Sequence, residues 1–455
     1  MSLLASYAEY VAQSQDQALS PGLERAVRRV VLDWTGALLA GSQMEAATRL
    51  IDAFSDEAGG GHCRVAGSAQ TYRARAAAFL NGTISHVAEF DDIFRDGVYH
   101  PACPTVSAVW ALAEQTQASP ESFWRAVVAG YEVSTRIARA LQPSHYTYFH
   151  TTGTVGVLGA AAACASLLRL NAQEACHAMA MAGTFASGLQ QAFRSDSMTK
   201  PVHAGHAAEV GVHAALMARC GMTGAPDLLE GDVGLGAAMS DGADWSRALD
   251  GLGQDFLITQ MTFKNHGCCG HNFAAIDGLA ALMRTHGLKA DDIERVQVGG
   301  YRATIEVCAY RHPVSPFEAK FSLSHTLACQ ALLGSVREKA FAPEALGRAD
   351  LQAFERRVQA AVDADCAAAF PGRRSARVTL TLRDGRVLSQ WQSTRHGDPD
   401  DPLTDDELAD KFFELASPRI GPDPARALSA SLLGERPDTL KHWSQHWSQP
   451  APVRA

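Results

Sequence analysis

The sequence predicts a mainly α-helical protein in which a large all-helical domain is accompanied by a smaller α+β domain. Up to about residue 255, apolar residues recur every three or four positions, which is the spacing of helices that bury one face. After about residue 285, the stretches "IERVQVGGY" and "RVTLTLRDGRVLSQW" alternate apolar and polar residues as strands do. We therefore predict a helical domain over residues 1–258, completed by C-terminal helices within 400–455, and an α+β domain over 259–399.

The helical part opens with a well-marked helix in "SPGLERAVRRVVLDWTGALLAGS". Ser20 is a predicted N-cap, Pro21 suits the first helical position, and Gly41 ends the pattern. The stretches "TGTVGVLGAAAACASLLRL" and "QEACHAMAMAGTFASGL" are rich in small residues, so we predict helices that pack closely in the interior.

In the α+β part, Asp384-Gly385 predicts a hairpin turn between two strands. The stretches "SLSHTLACQALLG" and "ADLQAFERRVQAAV" have helical spacing and are both predicted as helices. After a loop rich in Pro and Asp, Thr404 is the predicted N-cap of an amphipathic helix, and a second helix is predicted near "PARALSASLLG".

Composition restricts the class of protein. The chain has 455 residues, of which 47% are hydrophobic, enough for more than one core. No apolar run reaches the roughly 18 residues that a membrane helix needs, and the first residues lack the features of a secretory signal. We therefore expect a cytoplasmic protein without a membrane partner. A net charge of -9 without a basic stripe argues against nucleic acid as a partner.

Metal and nucleotide cofactors are not predicted. The ten cysteines include no C-x-x-C pair, and no H-E-x-x-H motif is present. The glycines of "GDVGLG" do not follow a predicted strand, so they do not form a dinucleotide-binding loop. The adjacent Cys268 and Cys269 are predicted to be buried as small apolar residues rather than to act as nucleophiles.

Four polar stretches interrupt the helical pattern and place a histidine or lysine beside Gly or Pro. They are "EFDDIFRDGVYHP", "YTYFHTTGT", "SMTKPVHAGHAAEVG" and "FKNHGCCGHNFAAIDG". Imidazole takes and returns protons near neutral pH, and lysine holds carboxylates. The stretches therefore favour acid–base chemistry on an anionic substrate, whereas His203 and His206 are assigned to the structure around Gly205.

Six ordered blocks carry a resemblance that spans nearly the whole chain. They are "NGTISHVAEFDDIF", "HPACPTVSAVWALAE", "FHTTGTVGVLGAAAACASLLRL", "TKPVHAGHAAEVGVHAALMA", "AKFSLSHTLACQALLG" and "DPLTDDELADKF". In the order of these blocks and in their residue patterns, the chain resembles the MmgE/PrpD family. The resemblance implies a cofactor-free enzyme, active as a homodimer, in which the smaller α+β domain forms a lid.

The resemblance also implies the residues of the pocket. By motif, the catalytic candidates are Glu89, Asp92, His100, His150, Lys200 and His271. The candidates for substrate binding are Asp91, Lys264, His266 and His325. His266 competes with His271 for the same role. The chain departs from the family pattern at Glu89, at Ile93 and at the Ser324-His325 pair, and these changes alter the hydrogen bonds offered to a substrate.

These residues predict an enzyme that removes a proton next to a carboxylate of a small di- or tricarboxylic acid. His100, His150 and His271 are the candidate base and acid, and Lys200 binds carboxylates. Glu89 and Asp92, expected on one side of a helical turn, orient the histidines. The leading prediction is a dehydratase-like lyase. An epimerase, isomerase or decarboxylase on an iminodisuccinate-type or cis-aconitate-type substrate is the near alternative, and a non-catalytic carboxylate-binding protein is the alternative of another class.

Overall fold

The chain divides into two units in the computed structural model, which describes residues 1–193, 197–370, 372–434 and 440–447. Unit 1 comprises Met1–Phe263 and Thr404–Ala455, and unit 2 comprises Lys264–Leu403. Unit 1 is almost entirely helical and unit 2 contains a four-stranded mixed sheet with helices. The predicted fold class is confirmed. Residues 435–439 and 448–455 of the predicted C-terminal helical segment lie outside the described residues.

Unit 1 is built from helices of very different lengths. They are α1 (Leu3–Gln13), α2 (Pro21–Gly41), α3 (Glu45–Ala53), α4 (Ala74–Val87), α5 (Ala102–Thr116), α6 (Pro120–Leu141), α7 (Thr151–Thr154), α8 (Gly156–Leu167), α9 (Ala172–Gly183), α10 (Thr199–Arg219) and α11 (Leu235–Met239), with α19 (Asp405–Ile420), α20 (Pro422–Leu433) and α21 (Leu440–Ser444) after unit 2. Ser20 and Thr404 are N-caps, as predicted: the Ser20 hydroxyl accepts from Leu23 N, and the Thr404 hydroxyl accepts from Glu407 N. Glu407 completes a capping box at Thr404. A short hairpin of β1 (Cys63–Arg64) and β2 (Thr71–Tyr72), which was not predicted, interrupts the helices.

Helices α4 and α10 approach each other at a pair of glycines. A Cβ atom on Gly82 would lie 2.9 Å from the Cα atom of Gly205, and one on Gly205 would lie 2.1 Å from the Thr83 hydroxyl oxygen. Only glycine leaves room for backbones this close. The pair therefore brings the C-terminal end of α4 near the first turns of α10, and both carry ionisable residues described below.

In unit 2, the sheet order is β4, β3, β5, β6. Its elements are α12 (Phe273–His286), β3 (Ile293–Gly300), α13 (Arg302–Glu306), α14 (Pro316–Lys320), α15 (Leu323–Leu333), α16 (Pro343–Leu346), α17 (Ala349–Glu355), β4 (Val358–Val362), α18 (Ala364–Ala369), β5 (Ala376–Leu382) and β6 (Val387–Gln392). Strand β3 pairs parallel with β4 and antiparallel with β5, and β5 pairs antiparallel with β6. The predicted hairpin is confirmed, with Gly385 at φ +87°.

One predicted helix of unit 2 is wrong in its second half. The stretch "ADLQAFERRVQAAV" is helical only over Ala349–Glu355, and Val358–Val362 forms strand β4. The register pairs Val358 with Val296 of β3. This pairing joins segments more than 60 residues apart, and such a distant partner overrides the local spacing of apolar residues.

Helix α19 returns the chain to unit 1 and carries a buried cation. Lys411 Nζ lies 2.6 Å from Asp33 Oδ1 of α2 and donates to the carbonyl oxygen of Phe90 at 2.8 Å. Lys411 is 1% exposed, so this ion pair holds α19 against α2 in the interior of unit 1. Among the described residues, no helix combines the length and apolarity that crossing a membrane requires.

Candidate active site

The acidic segment that follows α4 reverses the chain direction. Helix α4 ends at Val87, and Glu89 adopts a left-handed φ of +62°. The prediction that Glu89 and Asp92 share a helical turn is therefore wrong, because neither residue lies in a helix. The reversal instead carries Asp91 back alongside His86, which is in the last turn of α4.

Asp91 lies between two imidazoles. Its Oδ2 atom is 2.9 Å from Nδ1 of His86 and 2.9 Å from Nδ1 of His100. His100 Nδ1 is also 2.9 Å from the backbone oxygen of Asp92. A carboxylate and a carbonyl oxygen only accept hydrogen bonds, so Nδ1 of His100 must carry the proton. When His100 is neutral, its Nε2 therefore carries the free electron pair and can accept a proton, as in other sites where a carboxylate holds a histidine.

Asp92 has different partners. Tyr131 of α6 donates to its Oδ2 at 2.8 Å, and the backbone N–H of Ala102 at the start of α5 donates to its Oδ1 at 3.1 Å. Burial raises the pKa of Asp92 to about 8, although the hydrogen bond from Tyr131 opposes the shift. The carboxyl group of Asp92 thus holds the segment to α5 and α6, and the carboxylate that contacts the imidazoles belongs to Asp91.

His150 brings a third imidazole to this group. Its ring is stacked on His86 with centroids 5.5 Å apart and lies 6.4 Å from the ring of His100. Nδ1 of His150 is 3.1 Å from Nδ1 of His203 on α10, and its buried Nε2 has no hydrogen-bond partner among the described residues. Burial, reinforced by the neighbouring cationic groups, lowers the pKa of His150 well below 6.5, so the ring is neutral at physiological pH.

Lys200 supplies a cation beside these rings. Its ammonium forms an ion pair with Glu89 and lies 5.2 Å from the centroid of the Phe193 ring. The Phe193 and His150 rings are nearly perpendicular, with centroids 4.9 Å apart. The side chains of Lys200 and Glu89 are 18% and 30% exposed, and that of His100 is 13% exposed. Lys200, Glu89 and His100 are therefore partly open to solvent, whereas Asp91 is enclosed.

One group of buried side chains has the spacing of metal ligands. Ligand atoms of His86, Asp91 and Cys103 lie within 4.8 Å of one another. A cysteine ligand must be a thiolate, and burial raises the pKa of the Cys103 thiol well above 9.0 in the metal-free protein. The Asp91 carboxylate of this group accepts from the imidazoles of His86 and His100.

Unit 2 contains the other predicted site residues. Lys264 is its first residue, and His266 forms a close pair with Asp277 of α12, with Nε2 2.8 Å from Oδ1. Nδ1 of His271 lies 2.7 Å from the Tyr301 hydroxyl. Burial lowers the pKa of His271 to about 4, so this ring is neutral near pH 7.

His325 has both ring nitrogens engaged inside unit 2. Nδ1 is 2.8 Å from Glu355 Oε1, and Nε2 is 2.8 Å from the carbonyl oxygen of Ala340. Burial alone would lower the pKa, but contacts with Cys329 and Glu355 outweigh it and raise the pKa of His325 to about 10. Because no ring nitrogen is left for a ligand, we exclude His325 from the proposed carboxylate-binding group.

The raised pKa of His325 predicts a pH-dependent stability. A histidine whose pKa rises from 6.5 to about 10 on folding contributes stability that is complete below about pH 6.5 and is lost as pH rises through 10. The urea midpoint of the wild-type protein should therefore exceed that of His325→Gln by the largest amount at about pH 6. The difference between the two midpoints should decrease toward about pH 10. A gap independent of pH would contradict a charged His325.

Two residues of the histidine group are not among those predicted from sequence. His86 stands in the first quoted block but only the chain reversal at Glu89 brings it to Asp91. His203 was assigned to structure around Gly205, yet it contacts His150. A signal was present, because His203 follows Lys200 by three positions and helical residues with that spacing share a face.

Comparison with known proteins gives two family matches and several relatives. The MmgE/PrpD N-terminal domain matches residues 5–248, and the MmgE/PrpD C-terminal domain matches residues 266–432. The cis-aconitate decarboxylase-like protein oryM of Aspergillus oryzae is 26% identical over 90% of this chain and 89% of its own length. Cis-aconitate decarboxylases of Homo sapiens and Mus musculus are 27% and 26% identical, each over 77% of this chain and 74% of its own length.

Proposed function

This chain belongs to the MmgE/PrpD family, and from that premise we propose that it is a cofactor-independent lyase acting on a small di- or tricarboxylic acid. The contact that carries the proposal is the Asp91–His100 pair, at 2.9 Å, beside the partly exposed Lys200. The carboxylate fixes the imidazole so that Nε2 accepts a proton, and the ammonium binds substrate carboxylate. Similarity to decarboxylases supports an enzyme of this general type.

In dehydration, His100 Nε2 takes the proton from the carbon next to a carboxylate. The electron pair of the broken C–H bond forms the new C=C bond as the C–O bond of the β-hydroxyl breaks. The departing hydroxide takes a proton from an acid and leaves as water, and His150 is the candidate acid. Lys200 stabilises the negative charge that develops on the substrate carboxylate when the proton leaves.

Decarboxylation is the second candidate, and the names of the relatives favour it. Here the C–C bond to a carboxylate breaks and releases carbon dioxide, and the electron pair moves through the adjacent C=C bond. The far carbon then takes a proton from an imidazole. Epimerisation would need only the return of a proton to the opposite face. All three outcomes pass through a carbanion-like state that one arrangement of cations stabilises.

Incubation in deuterated water tests the function. The protein, in buffer with EDTA, is given cis-aconitate, a 2-hydroxy tricarboxylate and an iminodisuccinate precursor in separate samples, and proton NMR follows each one. We expect deuterium at carbon together with an alkene or a decarboxylated product, and no loss of rate with EDTA. Activity that needs added metal would contradict the cofactor-independent mechanism.

The binding alternative has a distinct outcome. If none of these acids exchanges or reacts, but calorimetry still detects their binding, the chain is a carboxylate-binding protein. Lys200→Gln should weaken that binding in either case, whereas Lys339→Gln, a change in unit 2, serves as the control. A homodimer and a cytoplasmic location stay predictions, and sedimentation measures the first of them.

A further inference from the structure

The contact between His150 and His203 joins two nitrogens that are each donor or acceptor according to the tautomer. The Nδ1 atoms are 3.1 Å apart, so one carries a proton and the other accepts it. Two glycines make room for the His203 side chain. A Cβ on Gly188, at φ +127°, would lie 3.2 Å from Nδ1 of His203, and one on Gly153 would lie 3.1 Å from its Cβ. The lack of side chains at these two glycines therefore leaves space for the His203 ring beside His150.

The two rings differ in their access to water. His150 is 0% exposed, and His203 is partly exposed. Among the described residues, His150 Nε2 has no hydrogen-bond partner, and Nδ1 bonds to a side chain only at His203. Within the part of the chain that the structure describes, His203 is therefore the side chain through which a proton can pass between the enclosed ring and solvent.

Neutral imidazole is a poor acid by itself. If His150 gave up its Nε2 proton without compensation, it would become an imidazolate, which a buried site disfavours strongly. An imidazolate is avoided if Nδ1 receives a proton at the same moment and the donor of that proton is itself reprotonated. His203 Nδ1 is the group in place to supply it.

We infer that His203 is a proton relay that connects His150 with solvent, an inference that rests on the proposed function for its catalytic consequence. As His150 transfers its Nε2 proton to the substrate or leaving group, the Nδ1 proton of His203 crosses to Nδ1 of His150, and Nε2 of His203 takes up a proton from solvent. His100 returns to solvent the proton that it took from carbon, so the protons balance and no electrons are exchanged. The two rings are left with exchanged tautomers, and the same transfers in reverse restore them when Nε2 of His150 takes up a proton after product release. His203 acts through His150 and is a positioning and relay residue.

Substitution of His203 tests the relay. His203→Gln keeps a hydrogen-bonding side chain but cannot take up and release a proton, and we expect kcat to fall about 10- to 100-fold with little change in KM. Added imidazole should restore part of the rate of His203→Ala, which leaves the space of the ring empty, because His203 is partly exposed. The matched control is His206→Gln on the same helix, whose Nε2 bonds to the Phe185 carbonyl oxygen, and its rate should equal that of wild type.

A measurement without substrate separates this inference from the proposed function. NMR of protein carrying isotope-labelled histidine reports the tautomer of His150, which should change in His203→Ala, where no side chain is left to bond to Nδ1, and not in His206→Gln. An unchanged His150 tautomer, a kcat within about 2-fold of wild type, or a lost rate that imidazole does not restore would each overturn the relay. If wild-type protein converts no carboxylate, the proposed function fails, and the tautomer still tests the coupling of the two rings.

Discussion

Replacing Lys411 with methionine is expected to lower the free energy of unfolding by about 3–5 kcal/mol. Lys411 and Asp33 are both buried, and their charged atoms are 2.6 Å apart. Removing only the cation leaves a carboxylate in the interior without its counter-charge, which costs more than the ion pair itself contributes. Urea unfolding followed by circular dichroism measures the difference.

Two further variants isolate the cause. Combining Lys411→Met with Asp33→Asn removes both charges and should recover much of the loss. Arg49→Ala breaks an ion pair with Glu45 in which both side chains are more than 60% exposed, and it should cost less than about 1 kcal/mol. A Lys411→Met protein as stable as the Arg49→Ala protein would show that the buried charge of Asp33 is compensated in some other way.

Lys411 also links the C-terminal helices to the candidate site. Its ammonium donates to the carbonyl oxygen of Phe90, which lies between Glu89 and Asp91 in the reversed segment. A residue more than 300 positions away thereby fixes the backbone that presents the carboxylates. We therefore expect Lys411→Met to reduce turnover as well as stability, even under conditions in which the variant is folded.

The sequence predicts the fold class and most elements, since these depend on local spacing and capping. The helix from Pro21 and the hairpin at Gly385 follow from the residues themselves. Strand β4 does not, because its partner β3 is distant in the chain. Local sequence patterns predict the helix in the first half of that segment. They do not predict the strand in its second half, which forms by pairing with β3.

The sequence predicts which residues belong to the site better than it predicts the role of each one. The stretches around His100, His150 and Lys200 are recognisable because polar groups interrupt apolar helices. The different contacts of Asp91 and Asp92 depend on the left-handed backbone conformation of Glu89, and glutamate has no strong preference for that conformation. Lys411 carried a readable signal, since it occupies the apolar stripe of α19 between Leu408 and Leu415.

The largest expected effect on turnover comes from the Asp91–His100 pair. His100→Gln removes the proposed base, and we expect kcat to fall by about 10²- to 10⁴-fold, the range that a general base contributes. Asp91→Asn should cause a loss of similar order for another reason. An amide oxygen is neutral, so it accepts from the two imidazoles more weakly than the carboxylate oxygen does, and it no longer stabilises the positive charge that His100 acquires when it takes a proton.

The double variant decides whether the two residues act as one unit. If Asp91 works through His100, combining Asp91→Asn with His100→Gln should cost little more than His100→Gln alone, because the removed base no longer needs orientation. Multiplied losses would instead assign Asp91 a separate role, such as support of His86, which shares the same oxygen. Asp96→Asn, in the same loop but 59% exposed, is the matched control and should leave kcat unchanged.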